Sequence, residues 1–122
     1  MIYINISKDF SETPGGRYIK EGKFSGEAFR TTILKPKYEE ALKKNEKLFV
    51  DFDNCYGFAA SFLEEAFGGL VRETKSKAIK DILEVKSEDR EDLKLWIDKY
   101  IDRAAKELEL WKTKEIGLSL SQ

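Results

Sequence analysis

The stretch DFDNCYGFAASFLEEAFGG, residues 51–69, decides how the chain folds. It begins at the end of the apolar run LFV, residues 48–50, and two aspartates lead from that run into a turn-rich segment. Apolar side chains then recur at helical spacing, at Phe62, Leu63, Ala66, Phe67, Leu70 and Val71. We therefore predict a central strand over 48–52, a short loop and an amphipathic helix. Gly68 and Gly69 either end this helix or let another backbone approach it closely.

The segments before this stretch predict one strand and two helical pieces. MIYINI places its three isoleucines on one face, which predicts a half-buried strand over 2–6. PGGR, residues 14–17, has residue types that are typical of turns and lies in a predicted irregular loop. We expect a short strand near Tyr18 within this loop. Ser25 can cap a following helix. Pro36 cannot continue that helix unbroken, so we expect two segments, 26–34 and 36–45, or one kinked helix.

The segments after it predict a further strand and a long helix. Weak alternation over 78–85 favours a third strand near an edge of the sheet. Ser87 is expected to cap a final helix over 88–111, with Glu88 and Asp89 in its first turn. This helix carries an apolar stripe that is typical of a core-facing helix, part of which could instead join two copies of the chain.

Together these elements predict a single α/β domain over residues 1–122. We expect a mixed sheet of three to five strands, with helices packed mainly on one face. The residues predicted to be buried are Ile2, Ile4, Val50, Phe52, Leu63, Phe67, Trp96, Ile97, Tyr100 and Ile101.

The amino-acid composition excludes several classes of function. The chain has 122 residues, 22 Lys+Arg against 23 Asp+Glu, a formal net charge of −1, no histidine and one cysteine, Cys55. A chain near neutrality lacks the clustered basic field that nucleic acids and anionic membranes attract. Without histidine, the commonest general base and histidine-bearing zinc sites are excluded. We expect a cytoplasmic protein that is not an enzyme, binds no cofactor and does not act on nucleic acid or membrane.

Asp51 and Asp53 offer an enzymatic alternative. Their spacing at the end of a buried strand resembles the first motif of haloacid-dehalogenase-like phosphatases, in which one aspartate attacks phosphorus beside a magnesium ion. Such enzymes also need a further lysine and a second acidic pair. The pairs that follow here, Glu64-Glu65 and Glu88-Asp89, fit helix starts instead. The residues therefore favour aspartates at a strand end over catalysis.

Ser61 is open to two interpretations. With Glu64 three residues on, it fits a capping box, in which its hydroxyl accepts from a backbone N–H at the helix start. The same position suits a phosphoacceptor, because a phosphate would face unpaired N–H groups and the positive end of the helix dipole. Glu64 and Glu65 would repel that phosphate. From the residues alone, capping is the favoured interpretation.

A family resemblance bears on this choice. The strand LFVDF followed by Ser61, Phe62 and Leu63 resembles the STAS domain of anti-sigma-factor antagonists, in which the second serine of an Asp-Ser-Ser-Gly-Leu motif is phosphorylated. Ala59, Ala60 and Phe62 depart from that motif. The blocks PGGR, SGEAFR and SFLEEAFGGL resemble, over nearly the whole chain, bacterial STAS-like proteins of unknown function.

The resemblance implies a non-catalytic regulatory module that binds a protein partner. It makes a kinase-like ATPase the first candidate for that partner and Ser61 the candidate phosphoacceptor. The expected partner-binding residues are Arg17, Asp53, Phe58 and Phe62. We expect a monomer or a weak homodimer, and a plain scaffold or oligomerisation domain is the remaining alternative.

Overall fold

The computed structural model describes residues 1–120 of the protein, with side chains through residue 112. In this part of the chain, three strands, β1 (Ile2–Asn5), β2 (Leu48–Asp51) and β3 (Leu83–Lys86), form one parallel sheet in the order β1-β2-β3. Ile2, Leu48 and Leu83 stand side by side across it. The predicted α/β class and the central place of 48–52 are confirmed, and the strands described run parallel rather than mixed.

Within residues 1–120, five helices with α-helical turns accompany the sheet. A four-residue α1 (Ile6–Asp9) follows β1, and α2 (26–44) crosses from β1 to β2. The second crossover is α3 (60–74), and α4 (Ile79–Ile82) leads into β3. The last helix is α5 (Leu93–Leu120). None of the helices in the described residues combines the length and apolarity needed to cross a bilayer.

The two crossover helices each contain one wide π-helical turn. In α2 it spans Arg30–Leu34 and ends two residues before Pro36, so 26–44 is one helix with a local widening rather than two pieces. In α3 it spans Glu64–Gly68. Ser25 caps α2 as predicted, because its hydroxyl accepts from the Ala28 N–H at 3.1 Å. Wide turns of this kind are uncommon and often mark functional segments of a helix.

The core lies between one face of the sheet and the helices. Ile4, Val50 and Phe67 are almost completely buried there together with Ile97 and Ile101 of α5. On the opposite face of the sheet, Tyr3 is 64% exposed. Because a strand alternates its side chains, this one-sided burial agrees with helices packed mainly on one face.

The predicted third strand and the predicted strand near Tyr18 differ in the structure. Residues 79–82 form a helical turn, because Ile79 and Leu83 are both buried at helical spacing, and the third strand is Leu83–Lys86. Near Tyr18 the chain makes a 3₁₀ turn, Ile19–Glu21, instead of a strand.

The final helix begins five residues later than predicted, at Leu93. Ser87 does accept a hydrogen bond, from the Arg90 N–H at 3.2 Å, but that bond closes a separate turn. Of the residues predicted to be buried, only Trp96 is not, at 39% exposed. Its indole N–H donates to Asp92 on the surface at 2.9 Å, as an indole N–H usually requires a partner.

Gly26 allows α2 and α3 to pack closely. A Cβ placed at Gly26 would lie 2.5 Å from the carbonyl oxygen of Phe62, a backbone atom that cannot move aside alone. We expect Gly26→Ala to lower the free energy of unfolding by about 1–3 kcal/mol, because overpacking forces the two helices apart. Urea titration followed by circular dichroism measures this.

The matched control for that measurement is Gly15→Ala. No atom lies within 4 Å of a Cβ built at Gly15, so this variant should unfold within about 0.5 kcal/mol of the wild type. If the two variants unfold with the same free energy, the close packing of α2 on α3 does not depend on the absence of a side chain at Gly26.

Candidate functional site

Five charged side chains from three separate segments form one ion-pair cluster between the loop 14–18 and helices α2 and α3. We call Arg17, Arg30, Glu64, Glu65 and Arg72 the arginine–glutamate cluster. Arg17 Nη1 lies 2.6 Å from Glu64 Oε1, and Arg30 Nη1 lies 2.6 Å from Glu65 Oε2. Arg72 donates to both carboxylate oxygens of Glu64, at 2.7 and 3.1 Å. Each glutamate is therefore held by more than one guanidinium.

Burial gives this cluster its strength. Glu65 is only 7% exposed, and Arg30 Nη1 also donates to the Glu65 backbone carbonyl at 2.6 Å. For Glu64, burial alone would raise the pKa, but hydrogen bonds from Arg72 and Arg17 outweigh it, so the net pKa lies below its ordinary value. The bond to Glu64 in turn raises the pKa of Arg17 and of Arg72. Glu64, Arg17 and Arg72 are consequently ionised at neutral pH.

Gly68 and Gly69 make room for the cluster. They do not end α3, which continues to Thr74. A Cβ at Gly69 would overlap the guanidinium of Arg30, and one at Gly68 would overlap the carboxylate of Glu64. The glycines thus admit a close approach, as one of the two sequence interpretations held, but the approaching groups are charged side chains rather than a backbone.

An open cleft of about 550 Å³ lies over the cluster. Its remaining walls come from Tyr18 in the loop and from Arg103 and Glu107 on α5. Three arginines and three glutamates line it, so its charges are balanced within the described residues. The cleft therefore presents charged side chains whose charges sum to zero.

Ser61 lies in the first turn of α3, and its side chain is partly exposed. The helix begins at Ala60, and the N-cap residue is Ala59, which provides no side-chain hydrogen bond. The predicted capping box is therefore wrong. Glu64 does not reach back to the backbone at Ser61 because its carboxylate is taken by Arg17 and Arg72.

Asp51 and Asp53 accept hydrogen bonds from the backbone of the loops at the carboxyl end of the sheet. Asp51 accepts from the Asp53 N–H at 2.8 Å, and Asp53 accepts from the Glu88 N–H at 2.7 Å. That backbone bond, together with Lys86 Nζ at 3.2 Å, lowers the pKa of Asp53. Among the described residues, no group of three His, Cys, Asp or Glu side chains could hold a metal ion. Asp53 thus ties the loop after β2 to the loop after β3.

The loop 53–59 is braced and carries an exposed aromatic residue. The Tyr56 N–H donates to the Glu12 carbonyl at 2.7 Å, and Asn54 adopts a positive φ of 66°. Yet Tyr56 is 83% exposed, and it is among the residues that line two hollows of about 480 and 260 Å³. Tyrosine is among the residue types that are enriched at the energetically important positions of protein interfaces.

The two phenylalanines predicted to bind a partner, Phe58 and Phe62, lie in different environments. Phe62 is fully buried in the core and has no surface to offer a partner. Phe58 is partly exposed, its ring 5.1 Å from that of Phe52, with the Arg90 guanidinium 5.9 Å above it. Phe58 and Tyr56 therefore form the accessible aromatic surface beside Ser61.

Sequence reasoning missed Tyr56 and most of the cluster. It selected Arg17 but assigned Glu64 and Glu65 to a helix start, and it gave no role to Arg30 or Arg72. The available signal was the polar series Ser61, Glu64, Glu65 and Arg72 along one face of an otherwise apolar helix. The sequence blocks PGGR, SGEAFR and SFLEEAFGGL lie together in the fold because their charged residues and glycines form the arginine–glutamate cluster.

Comparison with known proteins identifies the family. Residues 25–93 match the family model described as a STAS-like domain of unknown function, DUF4325. The chain belongs to this family. The match covers more than half of the sequence and includes β2, α3 and every cluster residue except Arg17. Comparisons with curated proteins and with solved structures gave no match. The STAS-like resemblance that the sequence motifs indicated is confirmed.

Removing the charge of Glu65 should destabilise the STAS-like domain. Glu65→Gln leaves the largely buried Arg30 guanidinium, 12% exposed, without its carboxylate. We expect a loss of about 3 kcal/mol in the free energy of unfolding. The control is Glu73→Gln, whose carboxylate is 37% exposed and 4.0 Å from Arg30 Nε, and which should cost at most about 0.5 kcal/mol. Equal losses would mean that burial does not set the strength of the pairing.

The lowered pKa of Glu64 predicts an acid-sensitive contribution to stability. A carboxyl whose pKa is depressed by folding stabilises above its unfolded pKa, about 4.3, and this stabilisation is lost as pH falls through the folded value. We expect the unfolding free energy of the wild type to fall below about pH 5 more steeply than that of Glu64→Gln. Urea titrations between neutral and acid pH measure this, with exposed Glu39→Gln as the control that should follow the wild type.

Proposed function

We propose that this STAS-like domain is a non-catalytic regulatory module whose binding to a protein partner is switched by phosphorylation of Ser61. The observation that carries the proposal is the position of Ser61, partly exposed in the first turn of α3 and next to the braced loop 53–59. Membership of the STAS-like family supports a module that binds rather than catalyses. The partner surface consists of Tyr56, Phe58 and the start of α3.

The electrostatics at Ser61 favour a phosphate. The sequence suggested repulsion from Glu64 and Glu65, but both carboxylates are paired with arginines. The first N–H groups of α3 have no partner inside the helix, since intrahelical bonding starts at the Phe62 N–H. A phosphate on Ser61 would therefore meet unpaired N–H groups and the positive end of the helix dipole.

The partner that the family resemblance suggests is a kinase-like ATPase of the anti-sigma type. In the transfer, the Ser61 hydroxyl oxygen forms a bond to the γ-phosphorus of the partner's ATP and the bond to ADP breaks. The hydroxyl proton passes to a base of the partner. Ala59 and Ala60 stand where the antagonists have aspartate and serine, so the kinase must recognise other groups here.

Tyr56 and Phe58 supply the apolar part of this surface. Aromatic residues with a polar edge dominate the binding energy of many interfaces, and neutral neighbours around them exclude water. A phosphate of about −2 charge beside these rings would oppose binding, because a partner would have to desolvate it. Phosphorylation at Ser61 therefore lowers affinity without changing the loop itself.

The test uses three variants of Ser61 and a partner captured from the native host and identified by mass spectrometry. Ser61→Asp should bind this partner at least about tenfold more weakly than the wild type. Ser61→Asn has the same size without the charge and should bind like the wild type. Ser61→Ala should bind normally and unfold at nearly the wild-type free energy, because Ser61 is not the cap. Isothermal titration calorimetry measures the affinities.

Tyr56→Ala should weaken the same complex at unchanged stability, since this ring is 83% exposed. Tyr18→Ala, at another exposed tyrosine, is the control. The switch is discarded if Ser61→Asp binds as tightly as Ser61→Asn and protein from the native host carries no phosphoserine at position 61.

A further inference from the structure

Arg103 brings an unpaired guanidinium to the cleft over the arginine–glutamate cluster. It is an exposed residue of α5, and it lines the cleft together with Arg17 and Tyr18 of the loop 14–18. Among the residues whose side chains the structure describes, Arg103 forms no hydrogen bond and no ion pair. The N–H donors of this guanidinium are therefore available to a ligand in the cleft.

Arg17 adds a second set of unused donors to the same cleft. Its contacts to Glu64 and Glu65, at 2.6 and 3.4 Å, are both made by Nη1. Within residues 1–112, Nε and Nη2 of Arg17 donate to no acceptor. The Arg17 carbonyl accepts from the Glu27 N–H at 3.0 Å, which fixes the loop to α2. A ligand would therefore meet a guanidinium that the fold already holds in place.

Most of the carboxylates at the cleft are already paired with cations. Glu64 is bound by two guanidinium groups, and Glu65 is bound by that of Arg30, which lies outside the cleft lining. Glu73, the next carboxylate near Arg30, is closer to a lysine, at 3.4 Å. Glu107 also lines the cleft, and it forms no ion pair with the described residues. With Arg30 counted, four arginines stand against three glutamates, which leaves a positive charge for an anion.

The size and lining of the cleft favour a compact anion. Its volume of about 550 Å³ is in the range of small-molecule sites, but charged side chains make up almost all of its lining. An apolar ligand would cover these charges without replacing their hydration. A carboxylate is satisfied by one planar guanidinium fork, whereas a phosphate has enough oxygens for the forks of two arginines. The lining therefore fits a phosphate group better than a carboxylate.

We propose that the cleft binds a small phosphate monoester, whose phosphate group is held between Arg17 and Arg103. Arg17 donates from Nε and Nη2 while its Nη1 remains on Glu64, and Arg103 donates from α5. The bound phosphate links the loop 14–18 to α5, and the open side of the cleft takes the organic part of the ligand. Ser61 has no part in this site, so the inference goes beyond the proposed function and does not depend on it.

The test titrates glycerol 3-phosphate into the isotope-labelled full chain at neutral pH and constant ionic strength. The Nε–Hε signals of the arginines are followed by ¹H–¹⁵N NMR. We expect the signals of Arg17 and Arg103 to shift and saturate, with half-saturation below about 10 mM. Inorganic phosphate should shift the same signals, whereas acetate should bind at least about tenfold more weakly, because it lacks oxygens for the second fork.

Arg103→Gln is the decisive variant, because the fold makes no use of this side chain and the arginine–glutamate cluster stays intact. It should weaken binding of glycerol 3-phosphate at least about tenfold. The matched control is Lys106→Gln, which removes the same charge from an exposed position of α5 that does not line the cleft. Binding to this control should stay within about twofold of the wild type, because distant surface charges are screened.

Two further variants test the other side chains of the site. Arg17→Lys keeps a positive charge for Glu64 but lacks the fork, so it should weaken binding while the domain stays folded. Glu107→Gln removes the unpaired carboxylate of the cleft and should tighten binding about threefold or more. Urea titration of each variant verifies that it is folded.

The inference is overturned if the wild type shows no saturation below about 50 mM of either phosphate. It is equally overturned if Arg103→Gln and Lys106→Gln weaken binding by the same factor, since that would reflect general charge attraction. Acetate binding as tightly as phosphate would contradict the ligand class. Binding of inorganic phosphate without glycerol 3-phosphate would exclude a monoester, and unchanged affinity in Glu107→Gln would place the anion outside the cleft.

Discussion

The bond between Arg30 and Glu65 is the constraint on which the arrangement of the helices depends. Both side chains are almost completely buried, so neither can find an alternative partner in water. Holding them together requires α2 and α3 to cross at close range, which Gly26 and Gly69 permit. The wide turns of the two helices begin at cluster residues, Arg30 and Glu64. An ion pair, two glycines and two π-helical turns thus act as one structural unit.

The two helices of this unit also connect the strands of the sheet. Helix α2 connects β1 to β2, and α3 lies between β2 and β3, so fixing the two helices fixes the connections of all three strands. A buried ion pair contributes little net stability when desolvation is counted, but an unpaired member is strongly penalised. The cluster therefore selects one helix crossing over others rather than adding much to the total free energy. The apolar core beneath it, which includes Phe29, Phe62 and Phe67, provides most of the stabilisation.

The sequence predicted those features that follow from local pattern. Apolar periodicity identified β1, β2 and α3, and turn chemistry located the PGGR loop. It misplaced the start of α5, because the N–H of Glu88 pairs with Asp53 of another loop instead of opening a helix. The sequence also predicted Glu64 to be the capping partner of Ser61, because nothing in the local sequence shows that Arg17, 47 residues earlier, binds the Glu64 carboxylate. Contacts across such separations depend on the tertiary fold, which a single sequence does not display.

The absence of a cap at Ser61 separates the folding of α3 from the regulation proposed for this residue. A serine that capped α3 would have its hydroxyl engaged with the backbone, and modifying it would weaken the helix. Here Ala59 occupies the cap position without a side-chain bond, and the start of the helix is held by Gly26 against Phe62 and by Arg17 on Glu64. Because tertiary contacts replace the cap, the Ser61 hydroxyl is not needed for stability. A group added to that hydroxyl can therefore change the surface beside Tyr56 and Phe58 while the fold beneath it stays as it is.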